Sequence, residues 1–154
     1  SGKININNTD LNELSAAKKD HFVGQNVGIV FQKNHAIRSL NLIENLKARL
    51  YFSKKTINED LILNLLQELE LEDLKGKATN QISVGQMQRL NIALAVVHKP
   101  NVILADEPTS SLDDKNCEAV MNLLLNQAKQ KQANLVVITH DYRVKAMFKN
   151  VLSL

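Results

Sequence analysis

The sequence predicts an α/β fold: a parallel sheet flanked by helices, with a helical insertion between its strands. Three observations carry this reading. Val102-Ile103-Leu104-Ala105 and Leu135-Val136-Val137-Ile138 are unbroken apolar runs, the pattern of strands buried on both faces of a parallel sheet. A stretch of helical periodicity lies between them, so strand, helix and strand alternate. Residues 34–80, by contrast, show helical periodicity twice and no strand-like run.

In chain order, Lys3-Ile4-Asn5-Ile6 alternates polar and apolar and runs into Asn7-Asn8-Thr9-Asp10, the composition of a short strand and a turn. Residues 11–20 read as a polar helix, and Gly28-Ile29-Val30-Phe31 as a buried strand ending at Gln32. Leu42, Ile43, Leu46 and Leu50 fall at helical spacing. A second helix opens at Thr56 with Glu59 in capping-box order and carries Leu61, Ile62, Leu65, Leu66 and Leu69 on one face. Gly76 and Lys77-Ala78-Thr79-Asn80 break the pattern. A helix from Val84 to Val97 stops before Pro100. Asp113 can cap a long helix through Ala119, Val120, Leu123, Leu124 and Ala128. A short helix near 142–148 leads to a last strand, Val151-Leu152-Ser153-Leu154. The chain reads as one domain, 1–154, with 1–33 and 81–154 as core and 34–80 as a helical subdomain.

With 154 residues, 44% hydrophobic and 23% charged, the chain can bury a core without metals or disulfides. The single cysteine, Cys117, excludes an internal disulfide framework and fits a reducing compartment. No apolar run reaches the roughly 20 residues that span a bilayer, and no secretory signal opens the sequence, so a cytosolic protein is expected. A net charge of +3, no tryptophan and no basic stretch interleaved with aromatics give no basis for a nucleic-acid partner.

The strand at 102–105 delivers two adjacent carboxylates, Asp106 and Glu107, to its carboxyl end, where open α/β sheets bind ligands. Paired charges repel unless a cation or a proton-accepting task uses them, although an isolated pair also serves as a loop cap. Ser83 and the backbone near Gly85 lie at the start of the 84–97 helix, where N–H groups and the helix dipole favour an anionic oxygen. Ser83 alone would equally be a helix cap.

In combination these segments resemble the ATP-binding domain of ABC transporters. Leu104-Ala105-Asp106-Glu107-Pro108-Thr109 resembles the Walker B strand, and Ser111-Leu112-Asp113 the D-loop. Ile82-Ser83-Val84-Gly85-Gln86, followed by Met87-Gln88-Arg89, resembles the signature motif. Val30-Phe31-Gln32 resembles the strand into the Q-loop, and Thr139-His140-Asp141 the switch histidine. The motifs run in the family's order at compatible spacings.

The resemblance implies a P-loop NTPase-like core with ATP and Mg2+ as cofactors. It assigns Asp106 to the metal, Gln32 to metal and water, Glu107 to general base and His140 to the γ-phosphate. Ser83, Gly85, Gln86 and Asp113 would face nucleotide in a head-to-tail dimer with a second ATPase domain. A transmembrane permease would dock near Gln32 and residues 34–80, holding the domain at the inner face of the cell membrane. The wording around Phe31-Gln32, Glu44-Asn45 and Ala105–Thr109 is nearest the lipoprotein-release and macrolide-export group. Two alternatives are a non-transport ABC ATPase of DNA maintenance and a non-catalytic interaction fragment. The short, heptad-free stretch from Gln32 to Ser83 argues against the first.

Two departures matter. Val84 stands where the family usually has glycine, so an ordinary backbone conformation with the side chain turned from the nucleotide is expected there. No GxxxxGK[ST] occurs; Gly2-Lys3 is followed by Ile4. The sheet core is therefore expected to be incomplete. The chain alone is expected not to bind ATP usefully, and to self-associate through exposed sheet edges. His21, His35 and His98 read as ordinary loop residues.

Overall fold

Residues 2–110 and 112–152 are described by a computed structural model. The chain opens with an antiparallel hairpin of β1 (Asn5–Ile6) and β2 (Thr9–Asp10). Asn7 and Asn8 take φ of 47° and 61° between them, the left-handed pair that a two-residue hairpin turn requires and asparagine tolerates. Helix α1 (Ala16–Asn26) then starts after Ser15, not at residue 11. Local side-chain bonds hold the intervening chain out of helix. Asp10 Oδ1 accepts from the Asn12 N–H at 2.9 Å, and the Asn12 amide donates to the Gly2 carbonyl at 2.8 Å.

The central sheet joins β3 (Val27–Val30), β4 (Val102–Asp106) and β5 (Asn134–Ile138) in parallel, in that spatial order. Register sets Gly28 beside Ile103 and Leu135, and Ile29 beside Leu104 and Val136. The helices of the middle segment are α2 (Leu42–Phe52) and α3 (Glu59–Glu68). Asn41 and Glu44 form a complete capping box on α2. Helix α3 is capped by Asn58, which accepts from the Leu61 N–H at 3.0 Å, and not by Thr56. Asparagine is at least as good a cap as threonine and sits where the helix begins.

Helix α4 (Val84–Val96) crosses the sheet against β3. A Cβ on Gly28 would fall 2.0 Å from the Ala95 carbonyl oxygen, so only glycine permits this approach. Helix α5 (Asp114–Gln130) and the short α6 (Tyr142–Lys145) complete the order. Val30 and Ile103 of the sheet share one buried cluster with Leu46 of α2, Ile62 of α3, Ile92 of α4 and Leu124 of α5. The middle helices thus pack into the same core as the sheet.

Three expectations are corrected. Strands β4 and β5 are not buried on both faces, because among the described residues helices cover only one; Leu104, Val136 and Ile138 are exposed. Val151 and Leu152 are exposed and irregular, with no strand beside them to satisfy their backbone among the described residues. Ser153 and Leu154 of that expected strand lie outside the described residues, as do Ser1 and Ser111. His98 is a buried residue, 1% exposed, rather than an ordinary loop histidine. Among the described residues no helix is long and apolar enough to cross a membrane.

Candidate functional site

The carboxyl ends of the three strands gather the acidic and histidine residues. Asp106 ends β4 and is exposed. Glu107 follows with φ of 45°, a left-handed conformation disfavoured for a side chain of this size. The turn aims its carboxylate at the segment leaving β5. Its Oε2 accepts from Thr139 Oγ1 at 3.1 Å, and its Oε1 accepts from the His140 N–H at 3.0 Å. His140 Nδ1 lies 2.7 Å from the same Oε1, on a ring that is largely exposed. Burial acts to raise the Glu107 carboxyl, but the hydrogen bonds from His140 and Thr139 outweigh it and hold the group below its ordinary range.

Gln32 extends from the end of β3, and its Nε2 donates to Ser110 Oγ at 3.4 Å. This ties the segment after β3 to the loop after β4. Asp106 and Gln32 supply oxygen donors of the kind Mg2+ prefers. No group of three His, Cys, Asp or Glu side chains among the described residues could hold a metal by itself. Those donors fit an ion that takes one or two protein ligands and completes its shell with water and phosphate.

A second cluster forms at the start of α4. Ser83 Oγ accepts from the Gln86 N–H at 3.3 Å, and Gln86 Oε1 accepts from the Ser83 N–H at 2.9 Å. This reciprocal capping box fixes the helix start. Val84 sits in the first turn of the helix with no positive φ and is 70% exposed. Ser83, Gly85, Gln86 and Arg89 line a cleft of about 290 Å³ with Asn116 of α5. Asp113 caps α5, its carboxylate accepting from the Asn116 N–H and side-chain amide at 2.9 Å each. Those bonds hold its carboxyl below the usual range. Glu107, Thr139 and His140 are thus drawn into one cluster and Ser83, Gly85 and Gln86 into another.

Several further residues brace these clusters. Gln88 Nε2 donates to the Pro108 carbonyl at 2.6 Å, linking α4 to the loop that holds Glu107. Asn45, buried on α2, accepts from the Ile37 N–H at 2.7 Å and donates to the carbonyls of Ile37, Leu40 and Asn41. It thereby shapes the chain between Gln32 and α2. Arg49 donates to the Val27 carbonyl at 3.1 Å and lies 3.0 Å from His98 Nε2, clamping α2 to the start of β3. Burial and the neighbouring Arg49 charge push His98 down to about 3. A buried asparagine one turn after a helix start is a usable signal; the Arg49–His98 pairing spans too much sequence to leave one.

A protein-family description, ABC transporter, matches residues 1–110. The lipoprotein-releasing system ATP-binding protein LolD of Legionella pneumophila (strain Lens) is 31% identical over 156 residues, covering 100% of this chain and 69% of the relative. The ABC transporter ATP-binding protein YxdL of Bacillus subtilis is 36% identical over 143 residues, covering 92% and 56%. A dimeric ATP-binding cassette described in a post-hydrolysis state bound to ADP and Pi superposes with a TM-score of 0.80 at 33% identity, covering 94% of this chain and 65% of that one. The chain therefore spans about two thirds or less of these cassettes and relatives.

Proposed function

This chain belongs to the ABC transporter family of ATP-binding domains, and on that premise we propose that it is part of the nucleotide-binding subunit of a transporter. ATP would bring two such domains together head to tail, and hydrolysis would release them. The supporting observation is the separation of two clusters on one chain. Glu107 and His140 meet at the strand ends. Ser83, Gly85 and Gln86 open α4 at a different cleft, where a partner's nucleotide would enter, with Asp113 joined to that cleft through Asn116.

Within this reading residues 1–33 and 81–154 are the core and 34–80 the helical subdomain. Asp106 and Gln32 would hold Mg2+, which neutralises phosphate charge. Glu107 polarises the attacking water as general base, and His140 and the strained turn keep its carboxylate in place. Oε2 accepts a single hydrogen bond, from Thr139, so it keeps a lone pair to take the proton from water while Oε1 stays on His140. The domain would sit at the inner face of the membrane, with its transmembrane permease docked against a groove of about 430 Å³ between β3 and α2. Phe31, Ile37 and Phe52 line it and are exposed beside Gln32, which suits an apolar helix. The LolD relatives make lipoprotein release the favoured subgroup.

The 154 residues contain no GxxxxGK[ST], so the chain by itself should not hold ATP at micromolar affinity. Three or four absent charge-assisted bonds amount to about 5–10 kcal/mol, against about 8 kcal/mol for micromolar binding in total. Calorimetric titration with Mg-ATP giving micromolar affinity for the chain alone would overturn that statement. In a parent protein supplying the loop ahead of Gly2, Glu107→Gln should abolish turnover yet still give an ATP-bound dimer by size-exclusion chromatography. Undiminished hydrolysis would remove Glu107 from the role of base.

A further inference from the structure

The segment leaving β5 is tied twice to the loop that leaves β4. The first tie is Glu107 with Thr139 and His140. The second lies beyond it, at Asp141, whose side chain is only 12% exposed. Asp141 Oδ2 accepts from Thr109 Oγ1 at 3.3 Å, and Thr109 is fully buried. Arg143 donates to Asp141 through its backbone N–H at 2.9 Å, through Nε at 3.0 and 3.1 Å to the two oxygens, and through Nη2 at 2.7 Å. The same guanidinium reaches the entry of α5, donating to Asp114 Oδ1 at 2.5 Å and to the Leu112 carbonyl at 3.3 Å. One planar fork thus bridges two carboxylates and a carbonyl on separate segments, a geometry that lysine cannot reproduce. Asp113, the residue between both anchor points, is exposed.

We propose that Asp141 and Arg143 are positioning residues that lock segment 139–143 to the entry of α5, so that His140 keeps its register against Glu107 only while Leu112–Asp114 holds its place. Its catalytic meaning rests on the ATPase reading above. A second domain pressing on Asp113 would move Arg143, and through Asp141 the loop that carries His140. Neither residue touches the reacting atoms; they set where His140 stands.

The test reads the His140 imidazole by NMR at fixed pH in this 154-residue chain, with Glu107→Gln marking the shift of a released ring. Arg143→Ala and Asp141→Asn should each move the His140 resonances at least half way to the Glu107→Gln position, and Arg143→Lys should recover only part. Arg143 is 39% exposed, so its truncation spares the fold. Wild-type His140 resonances in Arg143→Ala, with a dispersed amide spectrum, overturn the proposal. So does full recovery in Arg143→Lys, which would reduce the fork to a point charge. A Glu107→Gln variant that leaves His140 unshifted overturns it as well, since there would be no contact to position. In a parent protein that turns over ATP, Arg143→Ala should lower kcat on the order of tenfold to a hundredfold with KM for ATP within about twofold. A parent without turnover would sink the proposed function, while the His140 shifts would still decide for or against the coupling.

Discussion

On one face of the sheet Ile103 and Ala105 are 0% and 1% exposed; on the other, at neighbouring positions, Leu104 and Val136 are 37% and 49% exposed. Both rows are apolar, and both run in register across the strands. What separates them is a covering element. Helices α4 and α5 lie against the first row, and no described element seals the second. The residue types are those of a sheet covered on both sides, so the open row reports surroundings and not composition.

The largest effect should come from the closed face. Ile103→Ala is expected to lose about 2–5 kcal/mol, measured by urea denaturation. A loss below about 1 kcal/mol would mean that α4 is not seated on that row. Next comes His98, buried where α4 ends. Its folded value of about 3 lies below the ordinary histidine value of about 6.5, so the unfolded chain takes up the proton first. The neutral ring therefore favours folding above about pH 6.5, and that contribution is lost as pH falls toward about 3. His98→Gln should remove this part of the acid sensitivity, up to about 1.4 kcal/mol per pH unit. Parallel stability-versus-pH curves for variant and wild type would show that His98 is not held neutral. The smallest effect on stability should be on the open face. Leu104→Thr with Ile138→Thr is expected to change stability by about 0.5 kcal/mol or less per site, while reducing self-association in sedimentation velocity. A wild-type chain that stays monomeric at high concentration would show that the open row does not drive pairing.

The same contrast explains how far the sequence could be read. Ser83 at the head of α4, Asp113 at the head of α5 and Glu107 at a strand end were legible, because a cap or a strand end is specified by a few adjacent residues; His140 stood out only through the family resemblance. The α/β class followed from the order of apolar runs. The exposure of Leu104 was not legible, since a run apolar on both faces carries no mark of which one is covered. The start of α1 differs from its expected place because Asp10 and Asn12 bind backbone locally, and the cap of α3 because Thr56 and Asn58 compete within one turn. Arg49 with His98, and Arg143 with Asp114 and Leu112, were not legible as partners because only the fold brings those segments together.

The left-handed backbone at Glu107 has a consequence for how this chain tolerates mutational drift. Glycine or asparagine would occupy that φ with about 1 kcal/mol less strain, offset by whatever the contacts to Thr139 and His140 contribute. The glycine or asparagine that relaxes the turn therefore deletes the carboxylate, and aspartate, which also tolerates this φ, shortens its reach to Thr139 and His140. At this position an easier backbone is reached at the cost of the contacts that the Glu107 carboxylate makes to Thr139 and His140.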